Sequence, residues 1–485
     1  MKKSEFSIGT RSTGTARGRA FPGALTAGLL AMVALTSGCV RHDAEFSHRE
    51  EYNELIPEGQ EYVHKVLGTY FGKPTRIVAW EKLPLKLHAA VGTVGEGATS
   101  LSVPVNFTQE NLPLRPELEA AWLSGNLFQK NDTPALIEAI GENGSVMFPD
   151  PGLAQLPAAG DRVAIGPGEV LKFGRVLYAE HCLHCHGVSG DSHGPTAPYL
   201  NPKPRDFRRG IFKFTTTVAA SRASRTDLSR TIDEGIPGTY MPSFKLLTPD
   251  ENMALVEYVL WLAMRGEVEY QLTGQLKNDY SNEAFADRVK GGESAAEIRK
   301  ELTDAVNGGE MADTFNGIVD TAVERWVAAQ EEASLVTPTV KHLEATAESI
   351  ARGRALYLSK DLNCVACHGE AGLGDGPQTY SITKNSAGAD NPTPGLYDDW
   401  GNLVVPRNLT TGIYRGGRRP IDLFSRLHGG IKGTPMPAFG GKKSDEELWD
   451  LVNYIMSVPY EKRTPGDGSK EAKPAEAPPQ VAAGG

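Results

Sequence analysis

Cysteine is scarce in this chain: there are five in 485 residues, at positions 39, 182, 185, 364 and 367. With Cys39 set aside, the other four form two Cys-x-x-Cys pairs, so none is left for a structural disulfide framework. Long apolar runs are missing too. The one near the start, residues 24–35, is too short to span a bilayer comfortably. There is no basic surplus either, the formal charge being −10, which makes nucleic acid and anionic lipid headgroups poor partners. A hydrophobic fraction of 40% excludes a disordered chain, and 53 Gly with 32 Pro exclude uninterrupted helix bundles in favour of long loops. At this length two to four domains are expected.

The N-terminus has the layout of an export signal: Lys2, Lys3, Arg11, Arg17 and Arg19, then the apolar run, then Thr36-Ser37-Gly38-Cys39. The residues before Cys39 resemble a bacterial lipoprotein cleavage box. That resemblance implies removal of residues 1–38 and a lipid on Cys39. An uncleaved anchor or a plain secretory signal is the competing reading, and each of them exports the protein. Without residues 1–38, 45 Lys and Arg face 59 Asp and Glu, a net charge of −14. Such a surface suits a basic redox partner, or simply keeps the chain soluble.

The two cysteine pairs sit in a repeat. "FGRVLYAEHCLHCHG" surrounds the first and "RGRALYLSKDLNCVACHG" the second, matching Gly174 with Gly353 and Tyr178 with Tyr357. Downstream, "PRDFRRGIFKF" from Pro204 aligns with "PRNLTTGIYRG" from Pro406, and "EGIPGTYMPSF" with "GGIKGTPMPAF". The step from Asp227 to Met241 equals that from Asp422 to Met436, while the second copy carries an extra Gly/Pro/Asn-rich stretch over residues 384–402. Each copy ends in a predicted helix. Thr248-Pro249-Asp250-Glu251 and Ser444-Asp445-Glu446-Glu447 supply capping boxes. Behind them, Leu255, Tyr258, Val259 and Leu262, and Leu448, Leu451, Val452 and Ile455, form core-facing stripes. Tyr258 and Tyr454 are expected to pack near Gly174 and Gly353, where a missing side chain lets two helices approach.

Each pair is followed at once by a histidine, His186 or His368. Attachment of haem c needs two thiols on one backbone turn for the porphyrin vinyl groups and a histidine that reaches the iron from the same side; Cys-x-x-Cys-His supplies all three. A zinc tetrahedron or an iron–sulfur cluster would want all four cysteines to converge, whereas these lie in separate repeat units. A redox dithiol does not require the histidine, though it stays open for a single pair. For the sixth iron ligand the repeated Met-Pro offers Met241 and Met436. A lone methionine is ordinarily core filler, but two in register, each stiffened by a following proline, read as ligands. Arg205 and Arg407, in the repeated Pro-Arg, are candidates to pair a haem propionate, with an ordinary loop arginine as the alternative. His428, whose counterpart is Asp233, reads as a surface residue. His181, His184 and His193 crowd the attachment side.

On these motifs each unit resembles a class I cytochrome c domain. The resemblance covers about residues 168–266 and 345–463. It implies a mainly α chain with two small haem domains, two covalently bound haem c groups, and irons held by His186/Met241 and His368/Met436. The expected organisation is a signal over 1–38, a mixed N-terminal region over 39–167, the first haem domain over 168–266, a helical spacer over 267–344, the second haem domain over 345–463, and a disordered tail over 464–485. Within the N-terminal region, residues 75–80 and 98–107 read as extended, 115–128 as helical and 149–168 as a linker. The function expected is single-electron transfer on the periplasmic side of a bacterial membrane. The partners would be redox proteins: a quinol-oxidising complex, a dehydrogenase or a terminal oxidase, with the chain either a free carrier or a subunit beside one of them. A dihaem peroxidase or a haem-based sensor would need an open iron, against which two matched Met-Pro loops argue.

Overall fold

The computed structural model describes residues 44–461, apart from 81, 87–89, 110–118, 123–134, 137, 141–143, 149, 151, 154–155, 157, 166–167, 343 and 386–387. The chain divides into two units, Met1–Ala44 and Glu45–Gly485, and the elements described below belong to the second. Cys39, the export segment and the tail fall outside the described residues.

Helix α1 (Pro57–Phe71) starts on a proline, whose missing N–H costs nothing at a helix start, and buries Tyr62, Val63, Leu67 and Phe71. A short hairpin, β1 (Gly72–Lys73) with β2 (Arg76–Ile77), follows, so only two residues of the expected 75–80 strand are paired. Strands β3 (Ala90–Val94), β4 (Ser102–Gln109), β5 (Glu119–Trp122), β6 (Ala135–Leu136), β7 (Ala139–Ile140), β8 (Ser145–Met147) and β9 (Arg162–Ile165) form one antiparallel sheet in the order β6-β5-β9-β3-β4-β8-β7. Strand β4 matches the extended reading of residues 98–107. Two expectations are corrected. Within 115–128, read as helical, Glu119–Trp122 is a strand, because pairing with β9 and β6 outweighs the helix preference of Glu-Ala-Ala. Within 149–168, read as a linker, Arg162–Ile165 joins β3 to β5 inside the sheet.

The first repeat unit comprises α2 (Glu169–His181), α3 (Leu183–His186), α4 (Arg225–Glu234) and α5 (Pro249–Tyr280). Helix α5 starts on the predicted capping box: Thr248 N donates to Glu251 Oε2 at 2.7 Å, and Glu251 N donates back to Thr248 Oγ1 at 3.3 Å. It is 32 residues long and runs unbroken into the expected spacer as far as Tyr280. The spacer continues as α6 (Asn282–Lys290), α7 (Ala295–Gly308) and α8 (Glu310–Ala328). The second repeat unit has α9 (Ala347–Leu358), α10 (Val365–His368), α11 (Gln378–Ser381), α12 (Pro420–Gly429) and α13 (Asp445–Ser457), the last starting on its own capping box at Ser444.

Two cores result. The first joins α1, α2, α5, α7 and α8 around Trp261, Phe71, Tyr258 and Phe315, so the N-terminal segment and the spacer are packed onto the first repeat unit. The second gathers Tyr357, Phe424, Trp449, Leu451 and Tyr454 of the second repeat unit. Helix α5 is enclosed on nearly all sides, which buries three carboxylates that must then be paired. Glu257 takes Arg225, Glu267 takes Arg222 and the Trp326 indole N–H, and Glu269 takes Arg265 and His48. These cross-links hold residues 48, 222, 225 and 326 to one helix. Among the described residues no helix is long and apolar enough to cross a membrane.

Candidate haem sites

In each repeat unit the N-terminal helix crosses the C-terminal helix at a glycine. A Cβ on Gly174 would stand 2.1 Å from the Ala254 carbonyl oxygen and 2.9 Å from Tyr258 Cβ; on Gly353 it would stand 2.0 Å from the Asp450 carbonyl oxygen and 2.8 Å from Tyr454 Cβ. The expected pairing of Gly174 with Tyr258 and Gly353 with Tyr454 is therefore present. One turn on, Tyr178 Oη donates to the Gly187 carbonyl at 2.8 Å, and Tyr357 Oη to the Gly369 carbonyl at 2.6 Å. These tyrosines pin the residue that follows each histidine. The repeat alone shows that these tyrosines correspond, and their place shortly before each cysteine pair is the signal of this role in the sequence.

The thiols and the histidine occupy one helical turn. His186 N donates to the Cys182 carbonyl at 2.9 Å, and His368 N to the Cys364 carbonyl at 2.8 Å. All four cysteines are free, and burial pushes the Cys182 thiol up to about 12 and that of Cys364 to about 11. A redox dithiol needs the opposite, a thiolate stabilised near neutrality. Among the described residues no three His, Cys, Asp or Glu side chains converge as they would around a bare metal ion.

His186 Nδ1 lies 3.1 Å from the Arg205 carbonyl oxygen, which assigns the proton to Nδ1 and leaves Nε2 as a lone-pair donor. Burial holds its pKa down at about 4, so the ring is neutral, as a metal ligand must be. His368 is likewise lowered by burial; its Nδ1 is enclosed and makes no hydrogen bond of normal geometry, although the Arg407 backbone acts on it.

A largely apolar cavity of about 440 Å³ in the first unit is walled on one side by Cys182, Cys185 and His186 and elsewhere by Met241, Phe207 and Val259. The methionine loop is built by local hydrogen bonds repeated in both units. Thr239 Oγ1 donates to the Ile236 carbonyl and accepts from Met241 N at 3.1 Å; Thr434 does the same with the Ile431 carbonyl and Met436 N at 3.3 Å. Gly235 and Gly430, both with positive φ, cap the preceding helices where the loop folds back; a Cβ there would collide with the Met241 or Met436 carbonyl.

Both thiols free of a disulfide, the neutral histidine with a free Nε2 and a thioether lining the same cavity fit a covalent haem c: two attachment points, two candidate iron ligands and an apolar enclosure. Arg205 lines the same cavity, with its guanidinium stacked 3.7 Å above the Trp400 ring. Arg407 is placed differently. Its Nε donates to the Ile413 carbonyl at 2.7 Å, and its guanidinium lies against Gly238 in the first unit's methionine loop. His428 is half-buried rather than on the surface, because Gly440 leaves room for its ring beside Phe424.

The cytochrome c family matches this chain over residues 171–263 and again over 350–459. No curated protein matches it. Among solved structures, a chain of the Kuenenia stuttgartiensis reducing HAO-like protein complex is similar at 26% identity over 59% of this chain and 96% of that one. The TM-score is 0.40, too low a likeness in shape to carry an argument. Family match, attachment turn and ligand walls agree, so the two repeat units are cytochrome c domains, which implies covalently held haem c.

Proposed function

We propose that this protein is an exported, lipid-anchored dihaem cytochrome c that passes single electrons between redox proteins. The observation that carries the reading is that His186, Met241 and both thiols line one apolar cavity, with the methionine loop's hydrogen bonds repeated at Met436 and the attachment turn repeated at His368. When bound, haem c supplies a reversible one-electron iron couple. The chain would attach the group at Cys182 and Cys185 and at Cys364 and Cys367, with His186, oriented by the Arg205 carbonyl, and Met241 holding one iron and His368 and Met436 the other. A soft, neutral thioether favours the reduced iron and keeps small ligands out. Export and anchoring through Cys39 place the protein on the periplasmic side of a bacterial membrane. There its acidic surface is matched to basic faces on a quinol-oxidising complex, a dehydrogenase or a terminal oxidase.

The test is a visible spectrum of the reduced, haem-loaded protein before and after carbon monoxide. Two haems that ignore carbon monoxide, with a methionine-sulfur charge-transfer band in the oxidised form, support the carrier. Ready binding at one haem would mean an open iron and replace the carrier with peroxidase or sensor chemistry.

A further inference from the structure

The two cytochrome c domains pack so that equivalent positions meet. Phe214 and Gly416 correspond in the repeat, and Phe214 covers Gly416; Asp227 and Asp422 correspond, and Arg230 reaches both, at 3.8 and 2.7 Å. Matching segments of the two repeats therefore face each other across the interface. Lys213 and Arg415 are also counterparts. Lys213 is spent: its Nζ lies 3.3 Å from Asp398 in the second copy's extra stretch. Arg415 is not. It reaches out of its own domain to line the first domain's haem cavity. Its Nε is buried without a partner, and among the described residues no hydrogen bond or ion pair reaches its guanidinium.

The surroundings deepen the imbalance. Arg205 on the same cavity has Trp400 stacked on it but no hydrogen-bonded carboxylate, and Arg407 stands close enough to repel Arg415. Of the nearby acids, Asp206 is committed to Arg208 and Asp398 to Lys213, while Asp399 acts on Arg205 only through space. The Trp400 indole N–H is a further buried donor with no partner. Buried cations without an anion are costly, and a guanidinium fork is shaped for a carboxylate. The group that the first domain is built to hold carries two carboxylates.

We propose that Arg415, from the second cytochrome c domain, binds a propionate of the haem held by the first, beside Arg205, so that the first haem site is completed only by domain packing. This rests on the dihaem reading above. The consequence is asymmetry. The first haem gains a cross-domain cation that favours its reduced state, whereas Lys213, neutralised by Asp398, returns no equivalent to the second.

The experiment is a spectroelectrochemical titration of the full haem-loaded chain, with Arg415→Gln and Arg415→Lys variants; the first couple is identified by its displacement in Met241→His. Arg415→Gln is expected to lower the first midpoint by the equivalent of roughly tenfold in the reduced-to-oxidised ratio, which is about 59 mV for one electron. The second couple should stay in place, and Arg415→Lys should restore most of the shift. Resonance Raman propionate bending modes of the first haem should move in the glutamine variant. An unmoved first couple, or both couples moving together in the glutamine and lysine variants alike, overturns the proposal. If the unsubstituted protein holds one haem per chain or lacks the methionine band, the dihaem reading itself falls, and this proposal with it, before Arg415 is touched.

Discussion

Replacing Gly174 by alanine isolates what the crossing of α2 and α5 contributes. The new Cβ would stand 2.1 Å from a backbone oxygen, Ala254 O, and 2.9 Å from Tyr258 Cβ. Backbone cannot swing aside, so the helices must part by more than an ångström at their closest point. Overpacking of this kind costs about 1–3 kcal/mol, and a rigid backbone neighbour puts it at roughly the upper end. Alanine's helix preference offsets about 1 kcal/mol. A net loss of about 2 kcal/mol is expected. Gly274→Ala, on the exposed side of α5 with nothing within 4 Å of the added carbon, should instead stabilise by up to about 1 kcal/mol. Urea unfolding of the haem-loaded protein, followed at the haem absorption bands, reads both. Because α2 carries Tyr178 and leads into Cys182, the methionine charge-transfer band should weaken in the first variant at urea concentrations where the Gly274 variant keeps it. A Gly174→Ala midpoint equal to or above the parent's would refute the close-crossing argument.

Met241→Ala should open one iron and not the other, so that carbon monoxide binds half of the reduced haem and the midpoint of that haem falls; full resistance would remove Met241 from the ligand set. Thr248→Ala removes one half of the α5 capping box and should cost about 1 kcal/mol in the same urea assay, with Ser444→Ala doing likewise in the second domain. Lys432, buried in the domain interface where it donates to Thr217 Oγ1 and the Ser221 carbonyl, has its pKa lowered from 10.5 to about 8 by burial. Between those values the unfolded chain holds more protons than the folded one, so this group's contribution to stability rises with pH from about 8 to 10.5. Lys432→Met should flatten that part of the stability profile, as differential scanning calorimetry across the window would show.

What the sequence made legible is what the chain encodes locally. Thr248 and Glu251 are three residues apart, Cys182 to His186 span one turn, and the Thr239 to Met241 loop hydrogen-bonds within itself; short-range geometry follows from spacing. The repeat then doubled each signal. Strand β5 escapes a local reading for the same reason in reverse, since Glu119-Ala120-Ala121 has helical composition and only pairing with β9 and β6 makes it a strand. The spacer's place on the first core, and the run of α5 through it to Tyr280, depend on buried Arg, Glu and Trp pairings between segments as far apart as residues 48 and 269, which no local window contains.

The extra stretch of the second copy sharpens this limit. In sequence, residues 384–402 are an insertion, and an insertion in a repeat ordinarily reads as a tolerated surface loop. In the folded chain it supplies Asp398, which captures Lys213, and Trp400, which stacks on Arg205 and packs over Gly433, the counterpart of Gly238. In the other repeat the matching place, against Gly238, is taken by Arg407 directly. A duplicated chain with a strict twofold axis would give its two haems equal surroundings, and equal potentials provide no preferred direction for an electron. By inserting a carboxylate and an indole on one side only, this stretch occupies Lys213, while Arg415, its counterpart, lines the first domain's cavity without an ion-pair partner. The departure from repeat symmetry, rather than the repeat itself, is where two similar domains acquire different electrostatic roles.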